Sequence, residues 1–142
     1  MVLLGDGAES TRLKQDAVGN KDILFMGYQE DPLATISQAD VFVQPSYREG
    51  LSLALIEAGM LSLPIIATAV GGNPEVVHDQ KTGLLVPPRD ALALYDAMKL
   101  LYDDKSLRQR LATSAREQYV AKFQFDKIVV NDFLPLYEGV KK

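Results

Sequence analysis

Val41-Phe42-Val43-Gln44-Pro45-Ser46-Tyr47-Arg48-Glu49-Gly50-Leu51-Ser52-Leu53-Ala54-Leu55-Ile56-Glu57-Ala58 changes character twice. It begins as a short apolar run without polar alternation, which suits a strand buried on both faces. Pro45-Ser46 ends that strand, and a polar loop through Gly50 follows. From Ser52 to about residue 62 the spacing predicts a helix, with Ser52 as its cap. Strand, glycine-bearing loop and capped helix form one repeat of an α/β domain.

The same order recurs on both sides. Val2-Leu3-Leu4 runs into Gly5-Asp6-Gly7 and a helix over about 9–18. Ile23-Leu24-Phe25-Met26 stops at Gly27, and Pro32–Gln38 reads as a short helix with Asp31 as cap and Pro32 at its first position. Ile65-Ile66-Ala67 precedes Gly71-Gly72 and a short helix near 74–77. Leu84-Leu85-Val86 ends at Pro87-Pro88. Beyond it, helices are expected over about 90–102, 105–122 and 126–138. Strands of this kind, joined by right-handed crossovers, predict a Rossmann-like, doubly wound parallel sheet of about five strands, with helices on both faces and a helical C-terminal end. The chain is expected to be a single domain over residues 1–142.

Composition narrows the chemistry. The chain has 142 residues, 47% of them hydrophobic and 24% charged, which is ordinary for one globular domain and unlike a disordered chain. It has no cysteine, so disulfides, thiolate zinc sites and cysteine nucleophiles are excluded. The formal net charge of −4, with no basic stripe, argues against a nucleic-acid partner. No run approaches the ~20 apolar residues of a membrane helix. The start lacks the basic and apolar regions of a secretory leader. Together with the absence of cysteine, this gives a cytoplasmic expectation.

Ligands of doubly wound folds bind beyond the carboxyl ends of the strands. Those ends carry Gly5–Gly7, Gly27-Tyr28, Ser46–Gly50 and Thr68–Gly72. A helix starting at Ser52 offers free N–H groups and a partial positive charge, a site for phosphate. Glu57 lies in a helix that is apolar nearly all round and is expected to be buried. A buried carboxylate needs partners. The paired hydroxyls of a ribose would serve, as would a backbone amide or an arginine of another helix. Glu49 lies in the loop, either as a site acid or as a solvated neighbour of Arg48. A paired-carboxylate glycoside hydrolase is a further option that the phosphate-type context disfavours. Gly5-Asp6-Gly7 resembles the start of a dinucleotide fingerprint, but Ser10 occupies the third glycine position. Gly71-Gly72 either cradles a ligand or turns the chain. His78 reads as a loop residue, the basic helix 105–122 as a solvated face, and Tyr95, Tyr102, Tyr119, Phe123, Phe125 and Phe133 as core.

Taken in order, four passages closely resemble the C-terminal domain of GT-B-fold retaining glycosyltransferases of the group 1, or family 4, type. They are Val2–Gly7, Phe25–Tyr28, Ala39–Ser46 continuing through Glu49-Gly50-Leu51 to Glu57-Ala58, and Pro64–Thr68 continuing through Gly71-Gly72, Glu75 and Thr82–Val86. The resemblance implies half of a GT-B fold that holds a nucleotide-diphosphate sugar as donor substrate, with no metal or other cofactor. It implies that Glu49 contacts the donor sugar near the reacting centre. The main chain of Gly50, Leu51 and Ser52 would face sugar and diphosphate, Glu57 would hold the ribose hydroxyls, and the turn at Gly5 and Gly7 and the main chain near Tyr28 would complete the donor site. It also implies a preceding strand with an Arg and a Lys for the diphosphate, and an N-terminal acceptor domain. The 142-residue chain alone is therefore expected not to turn over efficiently. The acceptor is left open, as is peripheral membrane contact of the whole enzyme. Alternatives are a stand-alone, non-catalytic nucleotide-sugar-binding or interaction module and a sugar-nucleotide epimerase-like domain. Where the family commonly has glycine, two residues before the proline that opens the fourth strand, this chain has Ser62.

Overall fold

The computed structural model describes residues 1–123. The expected third C-terminal helix, Phe125, Phe133 and the side chain of Phe123 lie outside the described residues. The elements follow in the expected order: β1 (Val2–Leu4), α1 (Ser10–Asp16), β2 (Leu24–Gly27), α2 (Leu33–Ile36), β3 (Phe42–Gln44), α3 (Leu53–Met60), β4 (Ile65–Thr68), α4 (Asn73–Val76), β5 (Leu84–Val86), α5 (Ala91–Asp103) and α6 (Lys105–Phe123). All strand pairs are parallel, as the non-alternating runs require. The hydrogen-bonded ladders form two sheets, β1-β2 and β3-β4-β5. The chain divides into two compact units, Met1–Thr35 and the remainder from Ile36.

In the first unit, β1 and β2 pair Val2 with Leu24 and Leu3 with Phe25. Burial on both faces does not hold here. Leu24 is 55% exposed and Met26 37%, while Phe25 and Gly27 are half-buried. The reason is the cover available: α1 contributes no buried residue to this two-stranded sheet.

The second unit is a βαβαβ repeat followed by two helices. The register sets Val43 beside Ile66 and Gln44 beside Ala67, then Ile66 beside Leu84 and Thr68 beside Val86. The central strand β4 is buried along its whole length. Ile66, Leu84 and Val86 pack with Ala97, Leu101 and Leu111 into one core cluster. Helix α6 packs against both α3 and α5. Tyr119 of α6 is fully buried, donates its hydroxyl to the Val76 carbonyl at 2.9 Å, and has its phenol pushed above the ordinary range by burial. Its ring occupies the space in which a Cβ on Gly59 would stand.

Two sequence expectations need correction. Tyr95 and Tyr102 are 58% and 81% exposed, so only Tyr119 of the described tyrosines expected in the core lies there. Nor is the basic face of α6 merely solvated. Arg108 donates to the Leu101 and Tyr102 carbonyls at the end of α5, Arg116 to Met60 at the end of α3, Arg110 to Gln80 and Lys122 to Glu75. At the ends of α3, α4 and α5 these cations satisfy carbonyls that have no intrahelical donor and complement the negative end of the dipole, while Arg110 braces the loop at Gln80. Periodicity marks this face as charged but says nothing of which carbonyls lie beneath it.

Helix α3 ends in a Schellman motif. Leu63 N–H bonds the Ala58 carbonyl at 3.0 Å and Ser62 N–H the Gly59 carbonyl at 3.0 Å, with Ser62 left-handed at φ 62°. A left-handed conformation costs an L-residue about 1–2 kcal/mol that glycine does not bear. Ser62→Gly should therefore stabilise the domain by about 0.5–1 kcal/mol, seen as a melting temperature raised by a few degrees. A lowered melting temperature would contradict this account of the cap.

Candidate functional site

The expected site residues fall into two groups. Gly5, Gly7 and Tyr28 belong to the first unit; Glu49, Gly50, Leu51, Ser52 and Glu57 belong to the second.

In the first unit, Gly5 takes φ 103° and donates its N–H to the Gly27 carbonyl at 2.8 Å. The Asp6 carboxylate accepts the Gly7 N–H at 2.8 Å. That bond, with a further one from the Ser10 hydroxyl, holds its carboxyl below the usual range. The side chain thus closes the turn. Tyr28 is 79% exposed just beyond β2.

In the second unit, a hydrogen-bonded chain runs from the start of α3 to Glu49. Ser52 caps the helix as expected, its Oγ accepting the Leu55 N–H at 3.4 Å. The same hydroxyl donates to Gln44 Oε1 at 2.9 Å. Gln44 Nε2 donates to Glu49 Oε2 at 2.7 Å, and the Ser46 hydroxyl donates to the same oxygen at 3.0 Å. Thr68 Oγ1 in turn donates to the Ser46 carbonyl at 2.6 Å. Glu49 is therefore held by the ends of β3 and β4, with Oε1 making no bond to the described residues. It is not a loosely solvated partner of Arg48.

Gly71 and Gly72 lie beneath this loop. A Cβ on Gly71 would stand 1.7 Å from the Glu49 carbonyl oxygen, and one on Gly72 would stand 2.7 Å from that of Gly50. Gly72 N–H also donates to the Gly50 carbonyl at 3.0 Å. The glycine pair brings two stretches of main chain into contact, a use beyond the ligand cradling and turning that the sequence offered. Asn73 follows fully buried, with Nδ2 on the Thr68 carbonyl at 2.9 Å.

Glu57 departs from expectation in one respect. It is half-buried rather than buried, because α3 turns Leu53, 67% exposed, and Glu57 toward the surface while Leu55, Ile56 and Ala58 face the core. Neither a backbone amide nor an arginine bonds its carboxylate among the described residues. Leu53 and Ala54 open the helix with N–H groups that have no intrahelical acceptor. This part of α3 thus offers an anion-compatible start and, farther along, a carboxylate without a partner among the described residues.

A cavity of about 330 Å³ opens at the ends of β3, β4 and β5, lined by Pro45, Tyr47, Thr68, Pro87, Arg89, Asp90, Ala91 and Leu94. The Arg89 guanidinium stands 5.5 Å from the centre of the Tyr47 ring. Sequence reading passed over Gln44, Tyr47 and Arg89. Pro87-Pro88 at a strand end marked the place of Arg89, but nothing in the spacing pairs Gln44 with Glu49. His78 is an exposed loop residue, as expected. Among the described residues there is no cluster of three or more His, Asp or Glu able to hold a metal, and no helix long and apolar enough to cross a membrane.

Parallel strands joined through helices, with glycine-bearing loops at their carboxyl ends, define a Rossmann-like α/β class of domain. Residues 1–118 match the family described as "Glycosyl transferases group 1", and the chain belongs to that family. It corresponds to the C-terminal domain of the GT-B fold. It is 33% identical over 133 residues to N-acetyl-alpha-D-glucosaminyl L-malate synthase of Bacillus anthracis, an alignment covering 91% of this chain and 35% of that protein. The structure of sucrose-phosphate synthase from Thermosynechococcus elongatus superposes with a TM-score of 0.86 at 32% identity, over 97% of this chain and 37% of that one. Anabaena Alr3699/HepE, solved in complex with UDP-glucose, shares the fold with a TM-score of 0.83 at 21% identity, over 89% of this chain and 37% of that one. The chain spans about a third of the length of the curated relatives it matches.

Proposed function

We propose that this chain is the donor-binding half of a retaining glycosyltransferase, which takes a nucleotide-diphosphate sugar and passes a hexose-type sugar to an acceptor hydroxyl. The observation that carries the reading is Glu57, a half-buried carboxylate with no partner among the described residues, on the helix whose start can face a diphosphate. Glu57 would accept hydrogen bonds from the ribose hydroxyls. Glu49, with Oε2 held and Oε1 open, would meet the donor sugar. The main chain of Gly50, Leu51 and Ser52 would line the path between them.

In the transfer, the bond from the anomeric carbon to the diphosphate oxygen breaks, and a bond to the acceptor oxygen forms as that hydroxyl loses its proton. Charge builds on the leaving diphosphate. The unpaired N–H groups and dipole at the start of α3 oppose that charge. The reading needs no metal. It assigns acceptor binding to an N-terminal domain of the whole enzyme, expects no turnover from this chain alone, and takes the location to be cytoplasmic. UDP-glucose bound to the HepE neighbour makes UDP and UDP-glucose the first probes.

Glu57→Ala is the direct test. Hydrogen bonds to a charged group contribute about 1.5–3 kcal/mol, so UDP affinity should fall roughly 10- to 100-fold in a calorimetric titration. The exposed edge of α3 should tolerate the change with little loss of stability. Unchanged UDP affinity would remove Glu57 from the ribose.

A further inference from the structure

Gln44 is the last residue of β3, and its amide joins two groups that must otherwise find partners separately. Its Oε1 accepts the Ser52 hydroxyl at 2.9 Å, and its Nε2 donates to Glu49 Oε2 at 2.7 Å. The polarity of this link is set by its ends. A carboxylate accepts only, so the NH₂ group must face Glu49 and the carbonyl oxygen must face the Ser52 hydroxyl. Ser52 receives the Leu55 N–H on its oxygen and sends its own proton to Gln44. The amide therefore ties the Glu49 carboxylate to the cap of α3. Ser46 supplies the second donor to the same oxygen at 3.0 Å. Two donors on Oε2 leave Oε1 without a bond to the described residues, and Gln44 contributes the shorter of the two bonds.

We infer that Gln44 is a positioning residue that orients Glu49 toward the donor sugar. The inference rests on the reading of Glu49 given above. It makes a distinction that a general loosening of the loop would not. Gln44 acts through Glu49, so its loss should matter for the sugar and not for the nucleotide. Gln44→Met preserves length and bulk while removing both hydrogen-bonding groups, and it leaves the bond from the Leu55 N–H to Ser52 in place.

The test titrates the chain with UDP-glucose and with UDP. Gln44→Met should weaken UDP-glucose roughly three- to tenfold while UDP affinity stays within about twofold. In a Glu49→Ala background, Gln44→Met should add no further loss for UDP-glucose. Equal weakening of both ligands, or no weakening of UDP-glucose where Glu49→Ala does weaken it, would overturn the inference. If Glu49→Ala leaves UDP-glucose affinity unchanged, the assignment of Glu49 to the sugar fails instead. A ligand-free measurement then judges Gln44 by itself. NMR couplings should show one Glu49 χ1 rotamer in the native chain and averaging in Gln44→Met; an unchanged rotamer overturns the positioning role. Should Gln44→Met not fold, Glu49→Ala gives the reciprocal readout. It should move the Gln44 side-chain amide resonances upfield, and resonances that do not move overturn the link.

Discussion

Gly59→Ala should lower the stability of this domain by about 2 kcal/mol or more, with a fall in melting temperature of roughly 8 °C. Helix propensity taken alone gives the opposite sign, because glycine inside a helix costs about 1 kcal/mol relative to alanine. The contact decides the sign. A Cβ at Gly59 would stand 2.0 Å from two carbons of the Tyr119 ring. That ring has no easy retreat: Tyr119 is fully buried, and its hydroxyl is tied to the Val76 carbonyl at 2.9 Å. Relief requires α3 and α6 to separate, which opens contacts along both helices. Thermal and denaturant unfolding measure the loss. In a Tyr119→Leu background, where the ring edge is gone, Gly59→Ala should cost clearly less. A Gly59→Ala chain as stable as the parent would show that the two helices adjust freely. UDP affinity measured well below the transition should survive, because Gly59 lies two residues from Glu57, on the opposite, core-facing side of α3.

Gly59 also shows what sequence could convey and what it could not. The strand–helix order was legible because it is local: apolar runs of strand length, turn residues at their ends and helical spacing all lie within short windows. Ser52 was legible as a cap for the same reason, and so was the placement of the glycines at strand ends. Contacts across long sequence separations were not legible. Gly59 meets Tyr119, Arg116 reaches Met60, and Gly71 meets Glu49, each linking elements that periodicity treats one at a time. Glu57 was read as buried because the letters around it are apolar; the direction in which α3 turns those letters was set by packing against α6 and β4. Resemblance supplied the roles proposed for Glu49 and Glu57, but Gln44, which bonds Glu49, stands out only when the side chains are set in space.

The same logic applies to Gly71→Ala, with a different expected result. Gly71 sits at φ 51°, a left-handed conformation that costs alanine about 1–2 kcal/mol. Its Cβ would stand 1.7 Å from the Glu49 carbonyl oxygen and 2.8 Å from the carbonyl carbon. These are main-chain atoms, so no side-chain rotation relieves the overlap. Either the 69–72 segment or the Glu49–Gly50 segment must move, breaking the bond from the Gly72 N–H to the Gly50 carbonyl. Strain and overpacking together should cost about 2–4 kcal/mol. The shift also falls on the main chain that carries Glu49, so UDP-glucose affinity should drop roughly tenfold or more even at temperatures where the variant is folded. That separates it from Gly59→Ala, for which stability falls and affinity survives. The pair of substitutions is measured by unfolding and by titration on the same samples. If Gly71→Ala melts with the parent chain and binds UDP-glucose normally, the two loops are not pressed together as described, and the placement of Glu49 does not depend on them. If instead both variants lose affinity in proportion to stability, the Glu49–Gly50 loop has no geometry of its own apart from the core beneath it.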